Sequence, residues 1–160
     1  MKQSTKRKCI FIYMICIALF MMSARCSFAA VSIERAKVIF SNLTYVNGIN
    51  ANLRIKQTAA VNASSGAVTV TLYTGILKFC DTEDQLALVI GHELGHVTRH
   101  DAFRKGSKEM EYQADLLGYY YATKAGYPKG LSFMTKMMRV YGDGGCPKCD
   151  HPSWSSRLRY

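Results

Sequence analysis

Apolar residues recur along the chain with two different periods, which divide it into helical and extended segments. From Ile33 to Leu43 they return every three to four residues, and this spacing predicts an amphipathic helix. Between residues 53 and 73 apolar and polar residues alternate, which predicts two half-buried strands separated by the polar loop 62–66. The inward-facing positions are Leu53 and Ile55 on the first strand and Val68, Val70 and Leu72 on the second.

The second half of the chain shows the helical period. One helix is predicted to begin at Asp81 or Thr82, since either residue can cap the first turn and two acidic residues follow. Another runs from about Glu109 to Lys124, and Pro128 is well placed to start a fourth helix. The sequence therefore predicts an α+β domain in which helices dominate and strands are few.

The first residues form a separate pattern. A basic stretch ending at Lys8 precedes an apolar run at 9–22, and small residues follow, which is the three-part layout of a secretory signal. The run has 14 residues, whereas a helix that crosses a bilayer needs about 20. We therefore expect residues 1–29 to be a signal peptide cleaved after Ala29, and residues 30–160 to form a single domain.

This leader determines the expected location of the protein. A cleaved signal sends it to the periplasm or out of the cell, whereas a retained leader anchors it in the membrane. Apart from such a leader, only peripheral membrane contact is expected. Lipid attachment at Cys26 is a less favoured alternative, because Arg25 stands where the attachment motif has a small residue.

The positive charge of the chain is concentrated in the same leader. The formal net charge is +10, but five basic residues precede the first acidic residue, Glu34. Without those five, 16 basic side chains face 11 acidic ones, and they are scattered along the sequence. A nucleic-acid groove needs a basic stripe with interleaved aromatic residues. Nucleic acid is therefore not an expected partner.

The helix that starts near Thr82 contains the sequence His-Glu-Leu-Gly-His at residues 92–96. Residues four apart share one face of a helix, so His92 and His96 can bind one zinc ion while Glu93, on the same side, deprotonates the attacking water. This pattern is typical of a zinc peptidase. The alternative is a buried helix that carries two histidines by chance.

A catalytic zinc needs a third protein ligand and an open position. Glu111 and Asp115 are four residues apart on the next predicted helix, so Glu111 can bind the metal while Asp115 accepts a hydrogen bond from a ligand histidine. Glu109 lies about 200° from Glu111 around the helix and cannot face the same metal. A solvated acidic helix start is the alternative explanation for these carboxylates.

The two motifs together resemble the HtpX-like and CAAX prenyl protease family of zinc metallopeptidases. That family has a Glu-x-x-Ala-Asp run after its His-Glu-x-x-His motif, and here Glu111-Tyr112-Gln113-Ala114-Asp115 follows residues 92–96. Further similarities occur in the same order, at Asn62-Ala63, Thr74-Gly75, Ala125-Gly126-Tyr127, His151-Pro152 and Arg157.

The resemblance implies a zincin-like fold, mainly helical, with a small sheet next to the zinc helix. It implies one Zn²⁺ per chain, bound by His92, His96 and Glu111, with Glu93 as general base and acid and Asp115 as the partner of a ligand histidine. The terminal segment is expected to point His151 at the metal, where it stabilises the oxyanion or masks the zinc at rest. Arg157 is expected to hold that segment.

The resemblance also implies how the substrate binds and what it is. The strand before the zinc helix is expected to pair with an extended polypeptide, through Val68, Thr69, Val70, Thr71, Leu72 and Tyr73. The expected activity is a metalloendopeptidase that cleaves unfolded or misassembled envelope proteins in protein quality control. A zinc-stabilised chaperone or binding module that holds extended segments without cutting them is the main alternative, and a toxin or cell-wall hydrolase is a third.

Three cysteines follow the leader, at positions 80, 146 and 149. An exported protein meets an oxidising compartment, so one disulfide and one free thiol are expected. We interpret Cys146-Pro147-Lys148-Cys149 as a loop staple, closed on itself or tied to Cys80. Half of a zinc-binding knuckle and a redox motif are the alternatives.

Overall fold

The computed structural model of the protein describes residues 30–144 and 151–160, which form helices and one small sheet. The predicted signal peptide, Cys26 and the pair Cys146 and Cys149 lie outside these residues. The helices are α1 (Ile33–Asn47), α2 (Thr74–Phe79), α3 (Glu83–Thr98), α4 (Lys108–Lys124), α5 (Ser132–Tyr141) and α6 (Trp154–Arg159), with a 3-10 turn at Asp101–Phe103. The strands are β1 (Asn52–Lys56), β2 (Ala63–Ser65) and β3 (Thr69–Tyr73).

The architecture confirms the α+β prediction, with helices dominating and the small sheet beside the histidine helix α3. Side-chain caps define where the long helices begin. Thr82, rather than Asp81, caps α3 by accepting a hydrogen bond from the backbone N–H of Gln85. Ser32 caps α1 in the same way, and Gly48 ends α1 in the left-handed conformation at φ 65°.

The sheet has the order β1-β3-β2, with β1 parallel and β2 antiparallel to β3. Strand β2 lies inside the segment that was predicted to be a polar loop. The predicted inward position of Val68 is wrong, because this residue precedes β3 and its surface is 53% exposed. Val70 and Leu72 are fully buried as predicted.

Two other elements differ from the prediction. Helix α2 follows β3 without a break and was not predicted. Helix α5 begins at Ser132 instead of Pro128, because the preceding turn packs directly on α3. The backbone N–H of Lys129 donates to Asp84 there, and a Cβ on Gly130 would lie 2.6 Å from the Cβ of Leu88.

The centre of the core is α3, which is buried along most of its length. Its apolar side chains pack against α1 and the sheet. The largest fully buried side chains of these elements are Leu86, Leu88, Ile90, Leu94, Ile39, Leu43, Val70 and Leu72. No helix within the described ranges combines the length and the apolar character that a membrane crossing requires.

Glycines let α4 approach α3 closely on the opposite side. A Cβ on Gly91 would lie 2.5 Å from the carbonyl oxygen of Gly118, and one on Gly95 would lie 3.0 Å from that of Ala114. Side chains larger than hydrogen would therefore separate the two helices. This contact places the first turns of α4 directly over the histidines of α3.

Candidate metal centre

Three side chains from α3 and α4 converge on one point. The Nε2 atoms of His92 and His96 are 3.1 Å apart. The carboxylate of Glu111 lies 3.6 Å from the Nε2 of His92 and 3.4 Å from that of His96. One ligand atom from each of the three residues lies within 4.8 Å of the others. The structure thus brings together all three residues that were predicted to bind the metal.

The hydrogen bonds of the two rings show that this donor set suits a cation. His92 Nδ1 is 2.8 Å from a carboxylate oxygen of Asp115, and His96 Nδ1 is 3.0 Å from one of Asp101. Because an ionised carboxylate can only accept, each Nδ1 carries the proton and donates it. When both rings are neutral, the lone pairs of the two Nε2 atoms are directed at the same point beside the carboxylate of Glu111. Two nitrogens and an oxygen arranged in this way are ligands that zinc prefers.

The close approach of these side chains also shifts their pKa values in the metal-free site. Burial lowers the pKa of His96, but its hydrogen bonds to Glu111 and Asp101 outweigh burial and raise this pKa to about 9. Burial raises the pKa of Glu111, and hydrogen bonds to His151 and His96 outweigh it and hold the pKa far below its ordinary value. Without metal, His96 is therefore protonated on both ring nitrogens at neutral pH, and a metal ion must displace the proton on Nε2.

Residues 49–107 match the model of peptidase family M48. The matched segment contains the sheet, helix α3 with both histidines, and the 3-10 turn with Asp101. It ends before α4, which supplies Glu111. No curated protein matches the chain. The family match supports a zinc-dependent metallopeptidase over the segment that carries His92, Glu93 and His96, while the closer resemblance to HtpX-like and CAAX prenyl proteases stays a prediction.

The predicted catalytic glutamate lies between the two cavities at this centre. Glu93 is buried and, together with His92, lines both of them. It is on α3 next to one predicted ligand and three residues before the other, so it borders the same cavities as the predicted metal ligands. Its role as the base for the attacking water stays a prediction.

The structure places Asp115 and Arg157 behind the ligand His92. The guanidinium of Arg157 forms two hydrogen bonds of 2.6 Å with the two oxygens of Asp115, and both side chains are buried. Burial raises the pKa of Asp115, but the bonds to Arg157 and His92 outweigh it and lower this pKa. Since Arg157 belongs to α6, this ion pair fastens the terminal segment to the metal centre.

His151, at the start of the same terminal segment, reaches the metal centre from the solvent side. Its Nδ1 lies 3.1 Å from the Oε2 of Glu111, although its side chain is 73% exposed. This contact brings His151 next to a predicted metal ligand, and its role in stabilising the oxyanion or masking the zinc stays a prediction. Unlike Asp115 and Asp101, which contact the Nδ1 atoms of the histidines, His151 contacts the carboxylate of Glu111 itself.

Asp101 is a site residue that the sequence did not reveal. Its side chain is almost completely buried and holds His96 from behind, as Asp115 holds His92. The chain turns sharply to bring it there, because His100 adopts the left-handed conformation at φ 56°. Arg99 and Arg104 each approach Asp101 to 3.4 Å. The only sequence signal is a carboxylate five residues after His96.

The prediction that residues 68–73 pair with an extended substrate is wrong. Residues Thr69–Tyr73 form the central strand β3, whose backbone is paired with β1 on one edge and with β2 on the other. Such a strand has no free edge for a substrate. Strand β2 is the edge strand beside the metal centre, since Ala63, Ser64 and Ser65 line a cavity together with both histidines and Glu93.

Proposed function

We propose that this protein is a zinc metalloendopeptidase of the M48 type. The observation that carries the proposal is the convergence of the His92 and His96 Nε2 atoms with the Glu111 carboxylate, next to Glu93, in an accessible cleft. His92, His96 and Glu111 are the residues that hold the zinc. A purely structural zinc site usually closes its fourth position with a protein ligand and has no use for a neighbouring base.

The chain's own residues supply the proton transfers and the positioning. Zinc bound at this centre provides a Lewis acid that polarises the scissile carbonyl and acidifies water. Glu93 accepts the proton of the attacking water and passes it to the leaving amine nitrogen. Asp115 and Asp101 hold the two imidazoles in the tautomer that presents Nε2 to the metal. His151 donates a hydrogen bond to the developing oxyanion, or masks the zinc at rest.

Strand β2 supports a polypeptide substrate in extended conformation. Its outer edge is available next to Glu93, and an extended segment can add to such an edge through backbone hydrogen bonds. Folded proteins offer few free extended segments, so unfolded or misassembled proteins are the proposed substrates. Residues 1–29 are proposed as an export signal, which places the enzyme and its substrates in the periplasm or outside the cell.

The decisive experiment measures zinc content and casein cleavage for the purified protein and for Glu93→Gln. We expect one zinc per chain in both proteins and cleavage by the unmutated protein alone, because glutamine keeps the shape of the side chain but cannot accept the proton. Zinc in both proteins with cleavage in neither would indicate either a latent enzyme masked by His151 or a non-cutting module for extended segments. Cleavage by both would refute the role of Glu93, and absence of metal from both would refute the site.

A further inference from the structure

A cavity of about 300 Å³ extends from the metal centre towards α5 and α6. At one end it is lined by His92, Glu93 and Glu111. The other end is apolar and is formed by residues from four helices, namely Ile76, Leu88, Val89, Phe133, Met137 and Trp154. The same space therefore joins the reacting groups to a hydrophobic recess.

The recess begins one helical turn from the reacting groups. Leu88 and Val89 precede His92 and Glu93 by four residues on α3, which corresponds to about 6 Å along the helix axis. An extended polypeptide advances about 3.3 Å per residue, with successive side chains on opposite faces. A substrate whose scissile bond lies beside Glu93 therefore directs the side chain of an adjoining residue into the recess.

The size and polarity of the recess determine which side chains fit. An apolar cavity of about 150 Å³ is large enough for benzene, and the whole cavity, including its metal end, has about twice that volume. The remaining charged lining residues are at the metal end, where Asp115 and Arg157 pair with each other and His151 contacts Glu111. A charged substrate side chain would find no partner in the apolar end.

We propose that this recess binds a large apolar side chain, Phe, Leu or Met, of the residue directly next to the scissile bond. It thereby selects apolar segments, which unfolded polypeptides expose and folded ones bury. The proposal rests on the proposed peptidase function and adds the substrate class. Met137, half-buried on α5 and facing the recess, is the specificity-determining residue that is easiest to change without disturbing the core.

Binding can be measured separately from cleavage, because Trp154 is the single tryptophan of the chain and lines the recess. The zinc-loaded Glu93→Gln protein is titrated with the acetylated, amidated tripeptides Ala-Phe-Ala, Ala-Ala-Ala and Ala-Asp-Ala, and tryptophan emission is followed. We expect a saturable change with Ala-Phe-Ala and at least about tenfold weaker binding of the other two, since even one methylene in such a pocket discriminates about 10- to 200-fold.

A matched pair of variants tests the position of the recess. Met137→Lys places a charge in it, whereas Met138→Lys places the same charge one residue further along α5, outside the lining. In the Glu93→Gln background we expect Met137→Lys to weaken Ala-Phe-Ala binding at least about tenfold and Met138→Lys to retain it. Equal binding of the three peptides, or equal losses in the two variants, would overturn the proposal.

Cleavage mapping separates this proposal from the peptidase function itself. Mass spectrometry of casein fragments from the unmutated protein is expected to show Phe, Leu or Met enriched at one position beside the cut bonds, and Met137→Lys is expected to lose that enrichment. Cleavage without any such enrichment overturns the recess proposal and leaves the peptidase intact. Phe-selective binding at Trp154 without cleavage of casein supports the recess, whether the protein is a peptidase masked by His151 or a non-cutting module.

Discussion

Removal of the Asp101 carboxylate tests whether the residues behind the ligands contribute to metal binding. Asp101 accepts a 3.0 Å hydrogen bond from His96 Nδ1, and its side chain is 4% exposed. In Asp101→Ala this N–H loses its acceptor, and the ring is no longer held in the tautomer that presents Nε2. Loss of such a partner typically weakens metal affinity about 10- to 100-fold, which corresponds to about 1.4 to 2.8 kcal/mol.

The affinity is measured by competition with a chromophoric zinc chelator at fixed pH, and thermal unfolding shows that the variants are folded. Asp101→Asn keeps an oxygen acceptor for His96, so this variant is expected to retain most of the affinity. Glu109→Ala removes an exposed carboxylate on the outer side of α4 and is the control. Zinc binding by Asp101→Ala as tight as that of the unmutated protein would refute the role of Asp101.

Two further predictions concern the helix contact and the proton on His96. In Gly118→Ala the new Cβ would lie 2.5 Å from the backbone nitrogen of His92, so urea unfolding should show that the free energy of unfolding falls by about 1 to 3 kcal/mol. Tyr119→Ala, at the next and exposed position, is the control and should lose less. Equal stabilities of the two variants would contradict the close contact. Zinc affinity should fall about tenfold for each pH unit below the His96 pKa of about 9. A zinc affinity that stays constant between pH 6.5 and 9 would contradict the raised pKa. Because folding raises this pKa, the metal-free protein should also lose stability as pH rises from about 6.5 through 9.

The parts of the site that lie on a single helix were predictable from the sequence. Helical geometry alone puts His92, Glu93 and His96 on one side, and it puts Glu111 and Asp115 on one side of α4. Their meeting depends on the close approach of the two helices at Gly91 and Gly118, which no local pattern encodes. The motif order of a resembling family provided that information instead.

The wrong predictions concern backbone pairing and turns. Strand β2 has three residues in a polar segment, and it forms because β3 offers hydrogen bonds, not because its own residues favour a strand. Strand β3 is central because it pairs with β1 on one edge and with β2 on the other, and alternation of apolar residues does not reveal this pairing. Asp101 was missed for a related reason, since its place at the metal centre depends on the left-handed turn at His100.

Helix α4 shows how packing and chemistry share one surface in this protein. Its buried positions form a stripe along one side of the helix, namely Met110, Glu111, Ala114, Asp115, Gly118 and Ala122. In an ordinary core helix all such positions would be apolar. Here the small residues fix the distance between the helices, and the two carboxylates extend the same stripe over His92 and His96. A helix whose contact stripe combines buried carboxylates with small residues therefore indicates a partner helix that carries cationic or metal-binding groups.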